Sequence, residues 1–337
     1  MLKQKITIKD VAARAGVSVG TVSRVLGQND TVKQKILERV QKAISEMDYR
    51  PNLAARALRA KRVNVIGLIV PDITNPFFAQ LANELERIAS DKGHALILSS
   101  SHNDPEHEAR QLTAILEHMP RAVLLVPAAD EQRFNRPEHT MLLALDRRMT
   151  GMPSVTTNQR ASAALAVDHL VSLGHQRIAY IAGPTHTVTA REREAGFLAQ
   201  AELIRSTGVQ ITVKIIRGQF DFESGERIAR DVLSNPENMR PTAIAAASDQ
   251  QAIGAVRAAR DMGLSVPQDI SIVGFDDIVL AHLIVPRLTT IRQPVAEMAE
   301  FAMRSIFVPQ EQEEDHRFMG ELVVRDSTAA PNATAKY

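Results

Sequence analysis

Apolar positions recur at helical spacing over roughly the first fifty residues, and from Val63 onward they gather into short continuous runs. In "VSVGTVSRVL", Val17–Leu26, a helical wheel puts Val22, Val25 and Leu26 on one face and Gly20, Thr21 and Arg24 on the opposite one. Ser18 is a good N-cap for this helix. An earlier helix starts after Thr7, with Asp10 three residues on as a capping-box partner, and stops at Gly16; Val11, Ala12 and Ala15 form its apolar side. A third, roughly Lys33 to Met47, repeats the pattern at Ile36, Val40, Ala43, Ile44 and Met47. Two short helices joined by a glycine turn predict a helix-turn-helix, whose second helix enters the major groove of DNA. Gly20, Thr21 and Arg24 would then face base edges and phosphates.

Beyond Arg62 the buried-strand runs are "VNVIGLIVP", "ALILSS", "AVLLVP", "MLLALD", "RIAYIAG", "VKIIRG", "TAIAAAS" and "ISIVGF". Amphipathic helices separate most of them, among them Pro76–Lys92, Asp104–Met119, Ala161–Leu173 and Ala190–Ser206. Such alternation specifies parallel, doubly wound sheets. Eight units fit two Rossmann-like lobes better than one. The predicted fold is therefore a small all-α helix-turn-helix head plus an α/β body of two lobes.

Charge sharpens this division. The 337-residue chain is nearly neutral at +1, yet residues 1–62 hold 14 Lys and Arg against 5 Asp and Glu, a net of +9. The remainder holds 26 against 34, a net of −8, so the head is the part expected to meet a polyanion. Cysteine is absent, which removes disulfides and thiolate metal sites. No apolar run approaches the roughly 18 residues of a membrane span. The start "MLKQKITIKD" lacks the apolar stretch of a secretory signal, so a soluble cytoplasmic protein with no membrane partner is expected.

Catalytic chemistry finds little support. "GVSVG", Gly16–Gly20, matches the G-x-S-x-G elbow, but that motif needs a preceding strand and here follows a helix. There is no G-x-G-x-x-G after a strand, no Walker loop and no H-E-x-x-H. His102 and His107 read as solvated side chains. Adjacent Asp276 and Asp277 would point apart on a strand. No catalytic residue, metal ligand or cofactor is expected. Ligands of open α/β sheets bind at strand C-termini. That places Asp72, Asn75, Phe77, Phe78, Asp146, Arg147, Ser248, Asp249, Phe275 and Asp276 near a cleft, with Thr189, Arg191 and Arg193 on the loop after "RIAYIAG". Carboxylates and arginines suit vicinal hydroxyls, and aromatic rings cover apolar sugar faces. Asp249 is expected to cap the helix that follows it and Arg191 to pair with Glu194, while an internal Asp146–Arg147 ion pair is the lesser alternative to a ligand role for that pair.

The chain resembles the LacI/GalR family of transcriptional regulators. The resemblance rests on "TIKDVAARAGVSVGTVSRVL", "YRPNLAARAL", "IGLIVPDITNPFF", "LGHQRIAYIAGP", "REREAGF", "SDQQAIGAVRAARDMGLSVPQDISIVGFDD" and "PRLTTIRQP", and covers nearly its whole length. It implies a head over 1–50 and a hinge helix and linker over 51–62. It also implies lobes of periplasmic-binding-protein type, 63–158 with 292–319 and 159–291 with 320–328, and a flexible tail over 329–337. DNA contacts would come from Thr7, Ser18, Val19, Gly20, Thr21, Ser23 and Arg24. Asn52, Ala54, Ala55, Arg56 and Leu58 would contribute from the hinge, where the residue matching Leu58 wedges into the minor groove. Pro51 is a good helix starter, and Ala54, Ala55 and Ala57 permit close approach. Asp276 and Arg193 match the most regular effector ligands, and Phe220 an aromatic stacking position. Asp146, Asn158, Thr189 and Ser248 match positions that commonly hydrogen-bond. The implied partners are double-stranded operator DNA, a sugar-like effector and a second copy of the chain, with no cofactor. The third helix departs from the pattern: Lys33 stands where a serine cap is usual, leaving Thr31 as the alternative cap, and Ile36-Leu37 replaces a Thr-Arg pair. Rival classes are a cytosolic sugar-binding protein and a sugar-modifying enzyme on the same fold; the basic head argues against the first and the missing catalytic groups against the second.

Overall fold

In a computed structural model of the protein, residues 6–26, 32–47, 49, 64–131, 134, 137, 140–308 and 315–332 are described. The chain divides into two compact units, residues 1–63 and 64–337. The first contains α1 (Ile8–Ala15), α2 (Val19–Leu26) and α3 (Gln34–Glu46). The Asp10 carboxylate accepts from the Thr7 amide at 2.8 Å and its hydroxyl at 2.7 Å, closing the start of α1. Gly16 ends that helix with φ of 62°, the left-handed region that costs glycine nothing. Arg39 of α3 donates to the carbonyls of Ala15 and Gly16 at 2.6 and 3.1 Å, satisfying orphan acceptors at the same end. Ser18 Oγ accepts the Thr21 amide at 3.1 Å, as an N-cap should. Lys33 precedes α3 without a side-chain cap bond, and Thr31 lies outside the described residues.

Val11, Ala12, Ala15, Val22, Val25, Val40, Ala43 and Tyr49 make the small core of this unit. Ile36, Ile44 and Met47, expected inside, are only partly buried against it, because three short helices cannot enclose every apolar side chain.

The second unit holds two six-stranded sheets. One is built from β1 (Val65–Val70), β2 (Ala95–Ser100), β3 (Ala122–Leu125), β4 (Met141–Leu145), β5 (Ser154–Thr157) and β11 (His316–Phe318), in the order β11-β5-β4-β3-β1-β2. The other is built from β6 (Arg177–Ala182), β7 (Thr212–Arg217), β8 (Ala243–Ala246), β9 (Ser271–Asp276), β10 (Thr289–Arg292) and β12 (Glu321–Val323), in the order β12-β10-β9-β8-β6-β7. All pairs are parallel except β10 with β12. Helices α4 (Pro76–Asp91), α5 (Pro105–Leu116) and α11 (Val295–Phe307) belong with the first sheet. Helix α6 (Gln159–Ser172) packs on the second sheet, and α7 (Val188–Ser206), α8 (Phe222–Leu233), α9 (Asp249–Asp261) and the short α10 (Val279–Leu283) follow its strands β6 to β9 in turn. Nearly continuous apolar strands such as Val65–Val70, buried from Ile66 onward, suit sheets covered on both faces.

The chain passes between the sheets after β5, after β10 and after β11. These crossings are tied together. The Asn158 amide donates to the Phe318 carbonyl at 2.7 Å, and the Gly320 amide donates to Ser162 Oγ at 2.9 Å.

β5, β10, β11 and β12 are absent from the eight strands read in the sequence. They run three or four residues, and Ser154, Thr156, Thr157, Thr289 and Thr290 break the apolar signal although each is buried. The tail was expected to be loose from 329. Ala329 is anchored, its amide donating to Ser271 Oγ at 3.0 Å, while Ser327 Oγ accepts the Thr289 amide at 2.8 Å. Small hydroxyl-bearing residues look disordered by composition, yet here they complete the strand-end hydrogen bonds; residues 333–337 lie outside the described set.

Helices α8 and α9 touch backbone to backbone. A Cβ on Gly254 would overlap the Phe222 carbonyl oxygen and lie 2.7 Å from the Glu226 nitrogen, and one on Gly225 would lie 2.5 Å from the Gln251 Cα. Gly254→Ala would gain about 1 kcal/mol of helix propensity. Separating two backbones should cost more, on the order of 1–3 kcal/mol net. We expect Gly254→Ala to lower the melting temperature of the effector unit by several degrees; an unchanged or higher value would show that the helices are not in contact there.

Candidate functional site

The outward face of α2 carries Gly20, Ser23 and Arg24, all exposed, with Thr21 and Val19 half-buried at its margin. Ser18 and Thr21 hydroxyls lie 2.9 Å apart, so each is oriented by the other. The Arg24 side chain folds back toward the Gly20 carbonyl at 3.4 Å. Thr7 is exposed at the start of α1. Asn52, Ala54, Ala55, Arg56 and Leu58 lie outside the described residues.

In the second unit, strand C-termini of both sheets converge on a cleft of about 210 Å³. Nine of the ten effector residues read from the sequence line it. Asn75 caps α4, its side chain accepting the Phe77 amide at 3.0 Å. Phe77 and Phe78 meet edge to face at 5.2 Å, lining the cleft while belonging to the apolar core beneath. Asp146 follows β4, Thr189 and Arg193 lie in the first turns of α7, Phe220 follows β7, Ser248 follows β8, and Asp276 ends β9. Asn158 is the exception. It caps α6, accepting the Ala161 amide at 3.2 Å, and faces a separate small cavity of about 30 Å³. Asparagine suits a cap and a ligand contact alike, and spacing does not separate the two.

Arg193 organises the site. Its guanidinium pairs with Asp276 at 3.2 Å, donates to Gln159 Oε1 at 2.8 Å and the Ala247 carbonyl at 2.5 Å, and lies 3.8 Å from the Phe275 ring centre. Gln293 donates to Asp276 at 2.8 Å. Burial pushes the Asp276 carboxyl up to about 6 even though the Arg193 charge opposes it, and burial also raises Asp146. Asp146, Asp276 and Asp277 hold φ of 59°, 120° and 58°, strained values that a rigid surrounding must maintain. The two adjacent aspartates do point apart: Asp277 accepts from Arg292 at 2.7 Å and Arg325 at 2.6 Å.

Two expectations need correction. Ser248, not Asp249, caps α9, its Oγ accepting the Gln251 amide at 3.3 Å. Asp249 is instead fully buried, accepts from Thr290 Oγ1 at 2.5 Å and the Ile278 amide at 2.9 Å, and is pushed by burial to about 8. Arg191 pairs with Asp130, away from the cleft lining, while Glu194 turns to Arg217 at 2.5 Å. Arg147 lies 4.0 Å from Asp146 but is held mainly by Asn103 at 2.8 Å and the Pro127 carbonyl at 3.2 Å. It lines the cleft, 5% exposed, and its Nε, the atom nearest Asp146, makes no hydrogen bond among the described residues. Sequence reading did not select it as a ligand residue; its place immediately after Asp146 was the available signal.

A helix-turn-helix unit and a two-lobed α/β unit with a charged, enclosed cleft define a ligand-responsive DNA-binding regulator. Residues 7–52 match the model of bacterial regulatory proteins of the lacI family, and residues 167–328 that of the periplasmic binding protein-like domain. The chain is 35% identical to the ribose operon repressor of Halalkalibacterium halodurans, over 96% of this chain and 97% of that one. It is 34% identical to the HTH-type transcriptional regulator DegA of Bacillus subtilis, over 97% and 99%. The crystal structure of the Lac repressor dimer bound to operator and the anti-inducer ONPF superposes with a TM-score of 0.82 at 28% identity, covering 97% of this chain and 100% of that one. A LacI family regulator from Enterococcus faecium with bound ribose gives 0.67 at 27%, covering 79% and 99%. The chain belongs to the LacI family of transcriptional regulators. Among the described residues, no helix is long and apolar enough to cross a membrane.

The raised Asp276 carboxyl has a consequence for stability. Its folded value near 6 lies above the ordinary carboxylate value of 3.8, so the folded state holds the proton more tightly. Stability therefore falls as pH rises from about 4 to 6, by on the order of 1–3 kcal/mol. Asp276→Asn, which never ionises, leaves Arg193 without its counter-charge at every pH, so it should melt lower at about pH 4 but lose less stability than wild type between about pH 4 and 7.5. Parallel melting curves across the range would refute the assignment.

Proposed function

We propose that this protein is a repressor that reads a pseudo-palindromic operator as a homodimer and is controlled by a pentose-sized sugar. Each head lays α2 in the major groove, with Thr21, Ser23 and Arg24 toward base edges and Gly20 permitting close approach. The segment Asn52–Leu58 would form the hinge, with Leu58 as the minor-groove wedge, and lobes 63–158 with 292–319 and 159–291 with 320–328 would enclose the effector. Val19 and Gly20 offer few hydrogen bonds, so specificity rests partly on DNA shape. A regulator that meets its operator works in the cytoplasm.

The observation that carries the effector reading is the composition of the cleft. Four carboxylates, with Asp146 and Asp276 the buried ones, and two arginines, Arg147 and Arg193, line the same space as the rings of Phe77, Phe78 and Phe220. Carboxylates accept from vicinal hydroxyls, guanidinium groups donate to ring and hydroxyl oxygens, and aromatic faces cover C–H surface. A volume of about 210 Å³ suits one monosaccharide rather than a disaccharide. The names of the relatives point the same way: one is a ribose operon repressor, and one similar structure holds ribose. Among the described residues, the cleft hydroxyls of Thr187 and Ser248 bond to backbone groups and not to a histidine or carboxylate, so we read the cleft as a binding site and not a centre of turnover.

A thermal-shift screen with ribose, other pentoses, hexoses and sugar phosphates tests this. A ligand at 100 times its Kd should add about 2.7 kcal/mol to stability. Asp276→Asn, losing a charged acceptor, should bind the same sugar about ten- to hundredfold more weakly while holding operator normally. Stabilisation by a non-sugar alone would overturn the effector class.

A further inference from the structure

Gln159 and Gln293 are 1% and 2% exposed, and neither lines the cleft. Each stands on a different segment that passes between the two sheets, Gln159 after β5 and Gln293 after β10. Their amides are joined: Gln159 Nε2 donates to Gln293 Oε1 at 3.3 Å. Gln159 also accepts from Arg193 at 2.8 Å and donates to Asp146 at 3.4 Å, and Gln293 donates to Asp276 at 2.8 Å. The polarity is consistent throughout. A flip of the Gln159 amide would set its NH2 against the Arg193 guanidinium and its oxygen against the Asp146 carboxylate.

We propose that Gln159 and Gln293 are positioning residues, an amide relay that carries occupancy of the cleft to the two crossover segments. The proposal rests on the effector reading above. Asp146, Arg193 and Asp276 come from both lobes, and all three hydrogen-bond to this one pair of amides. A ligand drawing Asp146 and Asp276 toward its hydroxyls changes what Gln159 and Gln293 can hold. Because the Asn158 amide is bonded to Phe318 at 2.7 Å, the third crossing is bound to the first. Two neutral amides suit this task. They bridge acid to acid and acid to arginine without adding charge to a buried cluster that already has two of each sign.

The experiment compares wild type with Gln159→Leu and Gln159→Asn; the second keeps an amide but is one methylene too short to reach both partners. Ribose affinity is measured by calorimetry with and without operator, and the ratio is the coupling factor, typically about 5–150 in such systems. The coupling factor is a ratio, so it reads the relay whatever either variant does to ribose affinity itself; in both it should fall at least about fivefold. Equal coupling in wild type and variants overturns the relay. Hydrogen exchange on the sugar-free protein supplies an independent reading. Peptides spanning 158–162 and 291–296 should exchange at least about tenfold faster in both variants, with the strands of either sheet unchanged. Unaltered exchange there also overturns the proposal. Wild type that ignores ribose sinks the effector reading instead, and leaves the exchange comparison to decide the relay.

Discussion

One buried guanidinium constrains much of the effector unit. Arg193 is 4% exposed, and a cation so placed is tolerable only when counter-charge and acceptors surround it. It draws four partners from three elements: Asp276 and the face of Phe275 at the end of β9, Gln159 at the start of α6 and the Ala247 carbonyl after β8. None of these can shift far without stranding the charge. The arrangement is still not saturated, since Asp276 stays above the ordinary carboxylate range despite its partner. A site whose buried ions are each incompletely satisfied retains free energy that an incoming polar ligand can release.

The cost is visible in the backbone. Asn103, Asp146, Asp276 and Asp277 all hold positive φ at the strand ends around the cleft. Such conformations persist only where the surroundings over-determine them. Here the surroundings are apolar strands with essentially no exposure, such as Leu142–Leu145 and Ile272–Phe275, locked in parallel ladders. The sheets supply rigidity and the loops supply strain, which is why the functional groups sit at the strand C-termini or within a few residues beyond them.

How much of this is legible in the sequence depends on the kind of signal. The long strands and the strand-end acids stand out because apolar runs followed by Asp are unusual. Phe77 and Phe78 follow from the same logic. Short strands such as Thr289–Arg292 do not, since four residues rich in hydroxyls carry no period. Asp249 shows a different limit: Ser-Asp offers two capping residues in succession, and only the buried Thr290 hydroxyl and Ile278 amide decide that the serine caps. Gln159 and Gln293 were invisible for a third reason. Neutral amides do not stand out in a search for charge, and their significance depends on knowing which segments join the lobes.

The two units divide the electrostatic work in a way that composition already states. DNA affinity comes largely from phosphate neutralisation and counterion release, and it acts over about a Debye length, roughly 8 Å at physiological salt. A net of +9 over residues 1–62 supplies that term, whereas the remaining −8 opposes it. Non-specific attraction is thereby confined to the head, and the effector unit gains little from lying along DNA. The same partition protects the switch. If the body also bound phosphate, effector-driven changes in lobe geometry would have to overcome an electrostatic hold unrelated to the operator sequence. With the body repelled, the coupling free energy has only the specific contacts of the DNA-binding head to overcome, and a change of about 1–3 kcal/mol is then enough to matter.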